Sequence, residues 1–196
     1  MNSRDTILAS LRRASPPSSP RPEYPAAIAY ANPEAQFAET FTFVGGTFVR
    51  VTSLIALDAE LRKLELYAKA RKIVSLVPGA GESTVDLSAM KQPHELEGVD
   101  LAILPGEFGV AENGAVWVPG SSLGPRRAIF VIAEHLVLVV PASQIVHTMQ
   151  HAYDRIRFER PGFGLFISGP SKTADIEQSL VIGAHGARSC TLFLVG

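Results

Sequence analysis

The sequence lacks features on which several functional classes depend. It has one cysteine, Cys190, which excludes an internal disulfide and a cysteine-ligated iron–sulfur cluster on this chain. Its 18 basic and 19 acidic residues nearly cancel, so we expect neither nucleic acid nor a membrane surface as the main partner. No apolar run reaches the roughly 18 residues that a membrane-spanning helix needs.

What is present is the composition of a folded domain. Of the 196 residues, 46% are hydrophobic and 19% are charged, which predicts a globular chain with a core of its own. The N-terminal segment MNSRDTILASLRRASPP has charges among its apolar positions and does not resemble a secretory signal. Together with the single cysteine, this predicts a cytoplasmic protein.

Proline marks the one boundary that the sequence indicates. Six of the 14 prolines lie between residues 15 and 33, which predicts a stiff, extended arm. Before them, Ile7, Leu8 and Leu11 form one apolar stripe, so we expect a short helix over 3–14 with Ser3 as its N-cap. We therefore divide the chain into an N-terminal helix and proline-rich arm (1–33) and an α/β domain (34–196).

From residue 34 onward, strand and helix patterns alternate. The segment 136–140 (LVLVV) is apolar at every position, which is typical of a central parallel strand covered on both faces. This alternation predicts a Rossmann-like α/β fold, a largely parallel sheet flanked by helices, with ligands beyond the carboxyl ends of its strands. The predicted strands are 47–51, 73–77, 100–104, 114–118, 136–140, 164–168 and 192–195, and the predicted helices are 34–44, 57–68, 145–156 and about 173–184.

The C-terminal run from 166 to 186 is the first candidate site. A strand meets a Gly-Pro turn and a predicted helix, a junction whose free N–H groups attract an anion. The same residues also suit a simple helix start, because hydroxyls cap a helix and carboxylates complement its dipole. The candidate ligand-binding residues are Gly169, Ser171, Thr173, Asp175, Glu177 and His185.

These residues also carry a resemblance to a known family. The run GPSKTADIE (169–177), followed by GAHG (183–186), resembles the signature of the lactate utilisation (LUD) domain family. The short N-terminal helix, the proline-rich arm, AENG (111–114) and EHLVLVV (134–140) also have counterparts in that family. The resemblance implies a fold like that of the NagB/RpiA/CoA-transferase group. It also implies a role beside iron–sulfur partner proteins in the oxidation of L-lactate to pyruvate.

A second candidate site is the segment Glu112-Asn113-Gly114. It resembles the element around the nucleophilic glutamate of CoA transferases, and a suitably buried carboxylate can attack a thioester. Glu112 is thus the candidate catalytic residue, with Asn113 and Gly114 as ligand-binding neighbours. Asn-Gly is equally a common turn signal, in which case Glu112 is solvated.

Two other patterns are weaker. The segment PGAGEST (78–84) lacks the third glycine of a dinucleotide fingerprint and the lysine of a P-loop, so we expect a bare strand-to-helix turn. His147 and His151 have the i, i+4 spacing of a zinc site. However, the apolar stripe through Ile145 and Met149 places both histidines in water, so no metal site is predicted.

Lactate oxidation moves two electrons, which require a flavin, a nicotinamide or a metal relay. The chain has neither the cysteines nor a complete dinucleotide motif for this. We therefore predict a subunit that binds a small carboxylate or an organic cofactor, of unidentified nature, while iron–sulfur partner proteins conduct electrons. Two alternatives stay open: an independent acyl- or CoA-transferase-like enzyme with Glu112 as nucleophile, and a purely structural assembly subunit. The first prediction requires the loops at 109–114 and 169–175 to meet at one rim of the sheet.

Overall fold

The structure is a computed structural model that describes residues 2–14, 19–20, 26, 28–90, 92–123, 127–157, 162–173 and 181–196. The strands are β1 (Thr47–Val51), β2 (Ile73–Ser75), β3 (Leu101–Pro105), β4 (Phe108–Val110), β5 (Ala115–Pro119), β6 (His135–Pro141), β7 (Ile145–Val146), β8 (Gly164–Ile167), β9 (Lys172–Thr173), β10 (Val181–Ile182) and β11 (Ser189–Val195). The helices are α1 (Ser3–Ala14), α2 (Pro33–Phe43), α3 (Leu54–Leu61), α4 (Glu65–Lys69), α5 (Ile129–Ile132) and α6 (Met149–Arg155), with 3-10 turns at Pro93–Leu96 and Gly120–Leu123.

A five-stranded parallel sheet forms the centre of the fold, in the order β1-β11-β6-β3-β2. Along β6, Leu138 and its alternate neighbours pack into one core, and Val137 and Val139 pack into another on the opposite face. Alternate side chains of a strand point to opposite faces, so an entirely apolar strand implies two cores. The predicted α/β fold and the central position of this strand are confirmed.

Helices cover both faces of this sheet. Phe37 and Phe41 of α2 are fully buried in the core on one face, and Leu57 and Leu61 of α3 are fully buried in the core on the other. The start of α2 is set locally, because the side chain of Asn32 accepts a hydrogen bond from the backbone N–H of Ala35. The prediction of a single helix over 57–68 is wrong, since the extended backbone of Leu64 separates α3 from α4.

A second sheet of four strands, in the order β7-β4-β5-β8, was not predicted. It is mainly antiparallel, and the predicted strand at 164–168 belongs to it rather than to the central sheet. The predicted helix 145–156 is wrong in its first turn, because Ile145 and Val146 form β7 and α6 begins only at Met149. On this sheet the Trp117 ring stacks on Phe108, with centroids 6.4 Å apart, and contacts the tilted ring of Phe166 at 4.8 Å.

The helix predicted over about 173–184 is wrong at both ends. Thr173 lies in β9 and pairs with Val181 of β10 in a two-stranded antiparallel ladder. After β10 the backbone bends, and Gly183 adopts a φ of +76° that does not continue a helix. Residues 174–180 lie outside the described residues.

Helix α1 forms over the predicted residues, and none of its residues is buried. Its first turn is closed by Asn2, whose side chain accepts a hydrogen bond from the backbone N–H of Asp5 at 2.9 Å, rather than by the predicted Ser3. The division of the chain at residue 33 stays a prediction. Within the described ranges, none of the helices has the length and apolar character needed to cross a bilayer.

Candidate functional site

The first predicted loop, 109–114, contacts the residue that directly precedes the second, 169–175. The hydroxyl of Ser168 donates a hydrogen bond to the carbonyl oxygen of Asn113 at 2.9 Å. The side chain of Asn113 accepts a hydrogen bond from the backbone N–H of Ala115 at 3.1 Å, which closes the turn. Gly114 is buried beneath α2 with a φ of +66°, and an added Cβ would lie 2.8 Å from the backbone nitrogen of Phe41. Asn113 and Gly114 thus form a tight turn packed against a helix.

Glu112, the candidate nucleophile, is exposed. Its carboxylate accepts a hydrogen bond from the backbone N–H of Met149 at 2.7 Å, at the first residue of α6. Its own backbone N–H donates to the carbonyl of His147 at 3.0 Å. This is the geometry of a carboxylate that caps a helix, and it does not provide the buried surroundings that acyl transfer would require.

A cavity of about 310 Å³ contains three of the predicted site residues: Gly169, Ser171 and His185. Ser171 and His185 contribute a hydroxyl and an imidazole, so the lining is polar in part. The remainder of the lining comes mostly from apolar residues of α5, β6 and β8, including Phe130, Val131, Leu136, Leu165 and Ile167. Glu112, Asn113, Gly114 and Thr173 are not among the lining residues.

The cavity lies beside the amino ends of two central strands. Leu136 is the second residue of β6, and Ala187 comes just before β11. Ligands of parallel sheets usually bind at the other end, beyond the carboxyl ends of the strands, and the sequence led us to expect them there. The candidate site therefore depends on the position of β8 and of residues 168–171 beside the central sheet, which the sequence pattern did not indicate.

The turn beneath Ser171 is held by backbone and side-chain contacts. The Ser171 N–H donates to the carbonyl of Ala187 at 2.9 Å, and the Ser171 carbonyl accepts from the N–H of Gly183 at 2.9 Å. The backbone N–H and carbonyl of Ser171 are therefore already hydrogen-bonded within the protein, and the hydroxyl is the polar group that it can offer to a ligand. Gly169, with a φ of +70°, leaves the space through which the ammonium of Lys172 reaches this turn.

Lys172 is a structural residue of the site that sequence reasoning missed. Its ammonium donates to the carbonyl oxygens of Val44 at 2.7 Å and of Ser168 and Pro170 at 3.2 Å each. Partial burial lowers the pKa of Lys172, and full burial raises the pKa of the nearby Cys190 thiol to about 12. Lys172 belongs to the run GPSK that the sequence analysis singled out. Its structural role could not be read from that run, because it depends on a contact with Val44, which is distant in sequence.

Of the other predicted ligand-binding residues, Asn113, Gly114 and Thr173 are described by the structure, and none of them lines the cavity. Thr173 lies in the short ladder between β9 and β10. Asp175 and Glu177 lie outside the described residues, so whether they face a ligand stays a prediction. His185 is exposed at the cavity, between the positions of Gly183 and Gly186.

The glycine-rich turn at 78–84 is closed by an internal carboxylate. The N–H of Gly81 donates to a carboxylate oxygen of Asp58 at 2.8 Å, where a phosphate-binding loop would present its N–H groups to a ligand. The hydrogen bonds from Arg62 and then from Gly81 lower the pKa of Asp58. The expected helix does not follow this turn, since the described residues 81–90 form bends and turns.

The two spaced histidines are more engaged than expected. His147 is half-buried, and its Nδ1 accepts a hydrogen bond from the backbone N–H of Tyr30 at 3.0 Å. The Nδ1 of His151 lies 2.8 Å from the hydroxyl of Thr148. The prediction that both rings are in water is therefore wrong. No cluster of three or more His, Cys, Asp and Glu side chains suited to a metal ion occurs in the part of the chain that the structure describes.

Comparisons with known proteins agree with this fold. A sequence model of the LUD domain matches residues 43–195. A relative named lactate utilization protein C, from Shouchella clausii, is 37% identical over 98 residues, which span 47% of this chain but only 42% of that relative. A protein of the same name from Deinococcus radiodurans is 27% identical over 97% of this chain and 92% of its own length.

A solved structure shows the same fold. It is the crystal structure of a DUF162 family protein from Deinococcus radiodurans, with a TM-score of 0.60 and 18% sequence identity. The superposition covers 86% of this chain and 99% of that one. Since the LUD domain match covers most of the chain, from the last residue of α2 to the last strand, the chain belongs to the LUD domain family.

Proposed function

We propose that this chain acts in lactate utilization, as a subunit that binds a small carboxylate or an organic cofactor while iron–sulfur partner proteins carry the electrons. The relatives named lactate utilization protein C support the pathway. The observation that carries the binding role is the cavity that joins Ser171 and His185 within the matched domain.

The lining of the cavity suits a ligand with one polar and one apolar end. The hydroxyl of Ser171 can donate a hydrogen bond to a carboxylate oxygen, and the imidazole of His185 can donate one as well or supply a positive charge when protonated. Val131 and Leu136 offer an apolar surface to a methyl group. Its volume of about 310 Å³ lies at the small end of the range for small-molecule sites.

The electron path has to come from elsewhere. A cluster needs several thiolate ligands, whereas the chain has one cysteine, Cys190, which is buried in the main core as part of β11. This chain would therefore hold and orient a metabolite or cofactor, and the cysteine-rich partners would oxidise it or accept its electrons.

The two alternatives differ in what the site should do. Acyl transfer through Glu112 finds no support in the exposed, helix-capping position of that carboxylate. A purely structural subunit would tolerate changes inside the cavity. The effect of cavity substitutions on ligand binding therefore separates the binding role from the structural one.

Binding is tested by calorimetric titration of the full-length chain with L-lactate and pyruvate, with acetate as a control for weak anion binding. We expect S171A and H185A to weaken binding at least about tenfold, or about 1.4 kcal/mol. The matched control is S143A, because Ser143 is exposed and lies beyond the carboxyl end of β6, at the other end of the sheet from the cavity. Equal affinities in all three variants would remove the cavity as the binding site.

The pathway is tested separately in the native host. Deletion of the gene should abolish growth on L-lactate as carbon source, and the wild-type gene and S143A should restore it. If the deletion strain grows normally, the pathway assignment is wrong. If the S171A and H185A genes restore full growth although the deletion does not grow, the structural role is the correct one.

A further inference from the structure

The end of the proline-rich arm is attached to the domain through one histidine. The backbone N–H of Tyr30 donates to Nδ1 of His147 at 3.0 Å, across 117 positions of sequence. The two rings lie nearly parallel, with centroids 6.3 Å apart and an angle of 16° between planes. Tyr30 also packs at the margin of the main core, three residues before α2 begins at Pro33.

This contact requires one protonation state of His147. A ring nitrogen that accepts a hydrogen bond carries no proton, so the docked arm selects the neutral ring with its hydrogen on Nε2. A proton added to Nδ1 would face the N–H of Tyr30, which would replace a hydrogen bond by two opposed donors. Docking therefore favours neutral His147, and it weakens as the pH falls through the range in which imidazoles gain a proton.

Charged and titratable groups surround this ring on several sides. From α6, which follows directly in the chain, the ring of His151 lies 5.6 Å away. The turn at 111–114 contributes Glu112, whose backbone donates to the carbonyl of His147 and whose carboxylate is bound to Met149. The arm contributes Tyr30 itself.

Helix α2 also packs against β7 and carries two acidic residues. Glu34 is bound to Arg50 of β1, at 2.8 Å. Glu39 directly precedes Thr40, whose hydroxyl contacts the carbonyl of Ala111 in the neighbouring turn. The acidic residues around His147 are therefore Glu34, Glu39 and Glu112, and the charge of Glu34 is balanced by Arg50.

We propose that His147 and Tyr30 form a pH-sensitive latch, which fixes the end of the N-terminal arm to the domain when His147 is neutral and releases it when His147 is protonated. The latch does not depend on the lactate role or on the cavity at Ser171. Its effect is on the accessibility of the chain at Tyr30, which is half-buried against the domain.

The test uses the full-length, ¹⁵N-labelled chain and follows the Tyr30 amide by NMR from about pH 8 to about pH 5, a range that spans the ordinary titration of imidazole. We expect the Tyr30 amide proton to move upfield along the same curve as the His147 ring. In H147N it should not move, because Asn can present its side-chain oxygen close to the position of Nδ1 without titrating. A Tyr30 signal that ignores pH in the wild type would overturn the latch, whatever the variant does.

A second measurement reports the release of the arm directly. The rate of chymotrypsin cleavage after Tyr30 is measured in the wild type and in H147N at each pH. The ratio of the wild-type rate to the H147N rate is free of the pH dependence of the protease itself. We expect a ratio close to one at about pH 8 and of at least about three at about pH 5.5, below the ordinary titration range of imidazole. H94N is the matched control, since His94 is an exposed histidine of the 3-10 turn at Pro93–Leu96. A ratio that stays at one across the range, or that H94N reproduces, would contradict the proposal.

Discussion

The ammonium of Lys172 lies 2.7 Å from the carbonyl oxygen of Val44, the residue that follows the last residue of α2. The last carbonyls of a helix have no partner within it, and a positive charge there is favourable. Because the same ammonium also binds the carbonyls of Ser168 and Pro170, it joins the end of α2 to the turn that positions Ser171. The shape of the candidate site thus depends on a contact between distant parts of the chain.

Replacement of Lys172 by methionine should loosen this turn and lower the free energy of unfolding. The change leaves three carbonyl oxygens without their charged donor, and we expect a loss of about 1 kcal/mol, because solvent around the exposed Lys172 offsets part of the usual contribution of hydrogen bonds to charged groups. Urea unfolding measures it. The control is K69M, because Lys69 is exposed and its partner Glu65 is exposed too, so that change should cost less than about 0.5 kcal/mol. Equal losses in both variants would show that the three-carbonyl contact contributes nothing.

The turn at Gly114 gives a second prediction, with Gly79 as a matched control. Both glycines have positive φ, +66° and +80°, so alanine brings the same backbone strain of about 1 kcal/mol at either position. At Gly114 an added Cβ would also lie 2.8 Å from the backbone nitrogen of Phe41, whereas no described atom lies within 4 Å of it at Gly79. We expect G114A to lose at least about 3 kcal/mol and G79A about 1 kcal/mol in urea unfolding. Similar losses would mean that α2 can move away from the turn.

The parts of the fold that were predictable are those with long, local patterns. The segment 136–140 within β6 is apolar throughout, and a central parallel strand is the simplest structure that buries all five of its side chains. Helix α2 carries its own start signal in Asn32 and Pro33. In both elements the neighbours along the chain determine the structure, so the sequence alone is sufficient.

The elements that the sequence did not predict are short, and their structure is determined by pairing with residues far along the chain. Strands β7, β9 and β10 have two residues each, too few for any periodicity, and their pairing decides their structure. The candidate cavity could not be predicted from the sequence for the same reason. Ser171 and His185 were both candidates, but their apolar neighbour Phe130 comes from α5, and no local pattern connects that helix to them.

The carboxylate of Asp58, which binds the glycine-rich turn, should make the free energy of unfolding depend on pH. Because the hydrogen bonds from Arg62 and Gly81 lower the pKa of Asp58, the folded value lies below the unfolded value of about 3.9. The contribution of Asp58 is therefore complete above about pH 4 and is lost as the pH falls through the folded value. D58N should be about 1 kcal/mol less stable than the wild type at neutral pH, and this difference should shrink below about pH 4. Urea unfolding at stepped pH measures it, and a difference that is constant down to about pH 3 would contradict this account.

Glu112 can be assigned to capping or to chemistry by two substitutions. In E112Q the side-chain oxygen can still accept the N–H of Met149, so we expect stability within about 0.5 kcal/mol of the wild type, whereas E112A removes the acceptor and should cost about 1 kcal/mol. If Glu112 only caps α6, the E112Q chain should also keep full lactate-dependent activity with its partner proteins. An amide cannot act as the nucleophile that attacks a thioester, so loss of activity in a stably folded E112Q would favour acyl transfer. Mass spectrometry after incubation with acyl-CoA then decides the point, because a covalent adduct on Glu112 requires the carboxylate to leave the helix that it caps.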